Sequence, residues 1–147
     1  MTFLEQVEAA RDAGEALRLT IAHFGADSGT VHLLEADGLL HLRAASEGIP
    51  EAVLDLVRTV PVGKGMAGLA VERRAPVGAC NIQTDSSGDV RPGARATGME
   101  GAIVAPILRG AEAVGALGIA SRSPRTFTAE ETALLIEAGR RLAGSIS

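Results

Sequence analysis

Two stretches of this 147-residue chain read as antiparallel hairpins, and together they limit the fold more than any other feature. In TVHLLEADGLLHLRAA, residues 30–45, apolar and polar positions alternate on either side of Asp37-Gly38. That dipeptide is a two-residue turn signal, because glycine accepts the positive φ of a type I′ turn. Such a turn pairs Val31 with Ala44 and Leu33 with Leu42 on one face, and Leu34 with His41 and His32 with Arg43 on the other. His32 and His41 become diagonal neighbours; with no third ligand nearby they read as surface or groove-edge histidines rather than a metal pair. Residues 101–121 repeat the pattern as GAIVAPIL, RGAE and AVGALGIAS. Pro106 marks an edge or a bulge there, because it has no N–H to donate. Two hairpins do not fit a doubly wound parallel sheet, which requires alternating βαβ units.

Helical patterns flank the hairpins. Phe3, Val7, Ala10, Gly14, Leu17, Ile21 and Phe24 recur with spacing 4-3-4-3-4-3, which predicts one helix over residues 2–24, capped by Thr2 and ended by Gly25. This heptad seam either packs on the chain's own sheet or serves self-association. Pro50 opens a short helix over 50–58; a second is expected at 66–74 and a strand at 76–82. The polar stretch 83–100, QTDSSGDVRPGARATGME, reads as a loop, and loops this long are usually functional or mobile. Thr128-Ala129-Glu130-Glu131 is a capping box that opens a helix over 128–146, with Leu135, Ala138, Leu142 and Ile146 on its apolar face.

Between the hairpins, Gly63-Lys64-Gly65-Met66-Ala67-Gly68 spells G-x-G-x-x-G, and Asp85 follows 17 residues after Gly68. A dinucleotide-binding turn needs a buried strand before it and a full crossover helix after it. Here RTVPV precedes, too short and with a proline, and the following helix has about two turns. The phosphate-loop pattern fails as well, since Lys64 is followed by glycine. The segment reads as a corner: Gly63 and Gly65 supply turn conformations, and Gly68 lets a helix approach the sheet closely. No cofactor is expected.

Composition removes further classes. The net charge is −4 with no basic run, which disfavours nucleic acid. Three phenylalanines are the only aromatics, so a pocket here is aliphatic. Cys80 is the single cysteine and excludes an internal disulfide and a cysteine-based metal site. The N-terminus lacks a signal-peptide run and no window nears the ~20 apolar residues of a membrane span. A cytoplasmic protein with no membrane partner is expected.

The order of these elements, with VPVGKGMAGLAVERRAPV and IVAPILRGAEAVGALGIASRSPRTFTAEETALL at their spacing, resembles a GAF domain over residues 3 to 146. The resemblance implies a single domain, 1–147, of α+β, profilin-like class. It implies a central antiparallel sheet of about six strands, the first and last helices on one face, and a ligand pocket on the other. It does not select one GAF activity. The cyclic-nucleotide pattern lacks its Asn-Lys pair, although Phe127 and Glu131 are present; Thr132 replaces the final acid. Bilin attachment wants a histidine and aromatics around Cys80. Haem needs an axial histidine, and His23, His32 and His41 lie on the first helix and hairpin, away from the pocket that the corner implies. The free methionine-(R)-sulfoxide reductases use two thiols; the corresponding places read Met66-Ala67-Gly68 and Arg91-Pro92-Gly93-Ala94-Arg95, and Gly118-Ile119-Ala120 lacks the usual acid.

The expectation is therefore a sensory or regulatory module that binds a small molecule without catalysis. A reductase-related enzyme and a pure interaction module are the alternatives. The candidate pocket comprises Gly65, Met66, Cys80, Asp85, Arg91, Arg95, Met99, Glu100 and Ile103. Met66, Met99 and Ile103 form an apolar floor, Arg91 and Arg95 clamp an anion, and Glu100 meets an amine. Cys80 is either a small buried apolar residue or a redox-sensing thiol facing the pocket. With the chain ending in its last helix, output is expected through a partner in trans or a homodimer built on Val7, Leu17, Ile21, Leu135 and Leu142.

Overall fold

The computed structural model describes residues 1–145, except the side chain of Pro92; Ile146 lies outside the described residues. One six-stranded antiparallel sheet has the order β3-β2-β1-β6-β5-β4. Its strands are β1 (Ser28–Leu34), β2 (Leu39–Ala45), β3 (Thr59–Pro61), β4 (Val77–Ala79), β5 (Gly101–Arg109) and β6 (Glu112–Ser121). The helices are α1 (Phe3–Glu8), α2 (Ala13–Phe24), α3 (Glu51–Val57), α4 (Gly65–Arg73) and α5 (Ala129–Ser145). The two hairpins are present and meet along β1 and β6 at the centre of the sheet, Val31 opposite Leu117.

Period-two alternation divides the sheet. Val31, Ile103, Ala105, Ile107, Leu117 and Ile119 face α1, α2 and α5 and form the main core with Leu17, Leu135 and Leu142. Leu40, Val60 and Ala116 pack beneath Val71 of α4 in a second cluster on the opposite face. The strand expected at 76–82 shortens to β4, an edge strand. Pro106 lies beyond β4's last pairing, Val77 with Val104, where no strand asks for the missing N–H; a register shift follows at Ile107/Leu108.

The single helix expected over 2–24 is two. Thr2 and Glu5 form a capping box for α1, and the Asp12 carboxylate accepts from the Glu15 amide at 2.8 Å to start α2. A cap competes for backbone N–H groups with the helix that would run through it, and here the cap wins. Gly25 ends α2 in the left-handed conformation, as expected. The heptad seam is internal packing: Val7, Leu17, Leu135 and Leu142 are buried in the main core, and Ile21 packs against it. Four of the five residues assigned to a dimer are thus buried within the chain, and Ile21 is partly buried.

The first hairpin also differs. Glu35 N–H donates to the Leu39 carbonyl at 3.0 Å, which leaves a three-residue loop, Ala36 to Gly38, with Gly38 at φ +79. Asp37 keeps a negative φ, so the turn is not type I′. Pairing becomes Leu34–Leu40, Leu33–His41 and His32–Leu42, until a bulge between Val31 and His32 restores Val31–Ala44. His41, opposite Leu33, consequently lies on the other face of the sheet from His32 and bonds the Asp37 carboxylate at 2.7 Å.

Candidate functional site

On the face away from α1, α2 and α5, the sheet is not fully covered. The corner residues 62–65 deliver α4 onto it. A Cβ at Gly68 would collide with the carbonyl oxygen of Pro61, so only glycine lets α4 pack this close to β3. Beside α4, α3 and a 3-10 turn at Pro92–Thr97 lean over the sheet without filling the space beneath. The result is a cavity of about 300 Å³. Val53, Leu56 and Val57 of α3 wall one side, Met66 and Ala67 of α4 another, and Ile82, Ala94 and Met99 a third. Thr30, His32, Ala102, Val104 and Gly118 of the sheet form its base.

The wall is mostly apolar with a few polar groups, the usual make-up of a small-molecule site. Its charged side chains are Lys64 and Arg91; no carboxylate lines it. Both cations are exposed, and the Arg91 stem lies against Gly65 at the start of α4. His32 is 3% exposed. Its Nε2–H donates to the Val57 carbonyl at 2.8 Å, which leaves Nδ1 as a bare acceptor, buried and without a partner. Burial pushes the imidazole below its ordinary pKa, against the smaller opposing effect of the Val57 hydrogen bond, so His32 is neutral near pH 7.

Of the candidate residues, the fold brings Gly65, Met66, Arg91 and Met99 to the cavity. It places the other five elsewhere. Ile103 points into the helical core, because its neighbours Ala102 and Val104 take the cavity side of β5. Cys80 is exposed and outside the wall, neither a buried apolar residue nor a thiol facing the pocket. The Arg95 guanidinium does not join Arg91: it donates to the Ile82 carbonyl at 3.1 Å and the Asp85 carbonyl at 2.9 Å, tying down the loop. The Asp85 carboxylate accepts from the Ser87 amide, and Glu100 lies 3.5 Å from the Asn81 amide nitrogen. The sequence candidates did not include His32 and Lys64, nor the apolar wall residues of α3 and the sheet. Alternation had already separated His32 from Val31 and Leu33, but which face carries a cavity is not written in a strand.

No group of three or more His, Cys, Asp or Glu among the described residues is arranged to hold a metal ion. No helix among them is long and apolar enough to cross a membrane.

A comparison with curated proteins finds no match. Solved structures do match. The GAF domain of a phosphoenolpyruvate-protein phosphotransferase from Coxiella burnetii superposes with TM-score 0.79 at 22% identity, covering 98% of this chain and 88% of that one. Its counterpart from Acinetobacter gives 0.78 at 16%, covering 98% and 87%. The free methionine-R-sulfoxide reductase of Neisseria meningitidis, in complex with its substrate, gives 0.76 at 18%, covering 97% and 87%. At these identities the likeness is one of fold. The sequence itself matches the GAF domain family over residues 8–147, and with this sheet order and helix placement the chain belongs to that family.

Proposed function

We propose that this GAF domain is a regulatory module that holds a small organic molecule in the cavity between the sheet, α3 and α4, and does no chemistry on it. The observation that carries this reading is the cavity: about 300 Å³, open, apolar, with a few polar groups at its base and rim. A vestigial pocket would instead be expected to fill with side chains, because protein interiors close-pack.

The fold is shared with the GAF domain of a phosphoenolpyruvate-protein phosphotransferase and with a free methionine-R-sulfoxide reductase alike, so the site must decide. Reduction of a sulfoxide needs a thiol that reaches its sulfur: that thiol is oxidised to a sulfenic acid, which a second thiol, of the protein or of an external reductant, resolves as a disulfide. The sequence has only Cys80, which stands outside the cavity wall. Native mass spectrometry on freshly purified protein tests the reading, with assay of free methionine-(R)-sulfoxide turnover by a thiol reductant beside it. A retained small molecule and no turnover are expected; turnover at enzymatic rates would overturn the non-catalytic reading.

A further inference from the structure

We propose that the molecule held in this cavity is a small organic anion, its apolar body against the sheet and its acid group at the rim between Lys64 and Arg91. This rests on the ligand-binding reading above and adds the chemical class. The charge on the wall has one sign: Lys64 and Arg91 line it, and no Asp or Glu does. Two acids of the neighbouring loop are engaged elsewhere, and the Glu72 carboxylate lies against Gly63, outside the wall. Asp89 pairs with Arg73 at 3.1 Å, and the Asp85 carboxylate accepts from the Ser87 amide. Neither Arg91 nor Lys64 has an ion pair among the described residues, as is also true of Arg18, Arg74, Arg95, Arg109 and Arg122, none of which lines the cavity. Two cations left unpaired beside an apolar recess are suited to an anion whose remainder is hydrophobic.

The backbone agrees in sign. Gly65, Met66 and Ala67, the first turn of α4, line the same cavity, and α4 has no side-chain cap. First-turn N–H groups have no intrahelical acceptor, and the helix dipole puts partial positive charge there. At the base, one buried nitrogen of His32 has no partner, and an occupant with a donor at that point would satisfy it.

The test is titration of ¹⁵N-labelled protein with hexanoate, hexyl phosphate, 1-hexanol and hexylamine at neutral pH and low salt, following the amides of Ala102, Val104 and Gly118. One of the two anions should bind about tenfold more tightly than hexanol, and added salt should narrow the gap because the rim is exposed. The double variant Lys64→Gln/Arg91→Gln should bring the anion to parity with hexanol. Unchanged hexanol binding by that variant shows that its fold is intact. Hexanol matching the anions, or hexylamine exceeding them, with the wall amides shifting, overturns the anionic class and leaves the binding site standing. Wall amides that respond to none of the four sink the ligand-binding reading itself, and this inference with it.

Discussion

The imidazole Nε2 of His32, on β1, donates a 2.8 Å hydrogen bond to the carbonyl oxygen of Val57, the last residue of α3. This bond spans the end of the cavity and fastens a two-turn helix to the sheet. It also selects the tautomer, because a carbonyl oxygen only accepts. The ring stays neutral where it is buried.

Acid should therefore weaken the protein through His32. Its folded pKa is depressed below the ordinary 6.5, so the unfolded chain binds the additional proton. The contribution is fully present above about pH 6.5 and is lost as pH falls from there towards the folded pKa. Urea midpoints measured from pH 7.5 to 5.5 should fall, and His32→Gln should show a shallower slope. Parallel slopes would show that another group titrates.

Gly68→Ala should destabilise the domain by about 1–3 kcal/mol, since the new methyl meets the Pro61 carbonyl oxygen. Helix propensity alone would favour alanine by about 1 kcal/mol. The sign of the change in urea midpoint thus separates close approach from local preference.

The Arg95 guanidinium holds the Ile82 and Asp85 carbonyls, and the Gln83 side-chain amide holds those of Arg95 and Met99. Arg95→Met should speed amide hydrogen exchange across residues 83–100, while global stability changes by about 1 kcal/mol or less because the site is exposed. Protection that is unchanged in this segment would show that the loop is held by other contacts.

Leu142→Ala should cost about 2–5 kcal/mol, as expected for a fully buried leucine. The unfolding midpoint should not move with protein concentration, because Leu142 packs within its own chain. A concentration-dependent midpoint, abolished in the variant, would return the seam to an interface between copies.

Features set by neighbours along the chain were legible in the sequence. The Thr128 box closes as read, with the Thr128 hydroxyl accepting from the Glu131 amide at 3.0 Å and the Glu131 carboxylate accepting from the Thr128 N–H at 2.9 Å. Gly25 ends its helix, the hairpins are antiparallel, and Gly63 and Gly65 adopt the positive φ that a corner needs. Caps and turns involve a few adjacent residues, and alternation is a property of one strand, so no distant partner is needed to specify them. The break at Asp12 was legible too, in an Asp three residues before Glu15, but the longer heptad stripe concealed it.

Only the tertiary structure decided which face of each element meets which neighbour. One additional residue in the loop before Leu39 separates His32 from His41, because a shift of one residue moves a side chain to the other face; the bulge at Val31/His32 then restores the Val31–Ala44 pairing. Ile103 went to the core and Val104 to the cavity by the same rule. Arg91 and Lys64, 27 residues apart in sequence, share a rim because the loop folds over the start of α4, while Arg95 turns back to bind its own loop. The sequence by itself determined the two hairpins, the capped helix ends and the order of these elements; the cavity exists because packing left that face of the sheet partly uncovered, and packing is long-range.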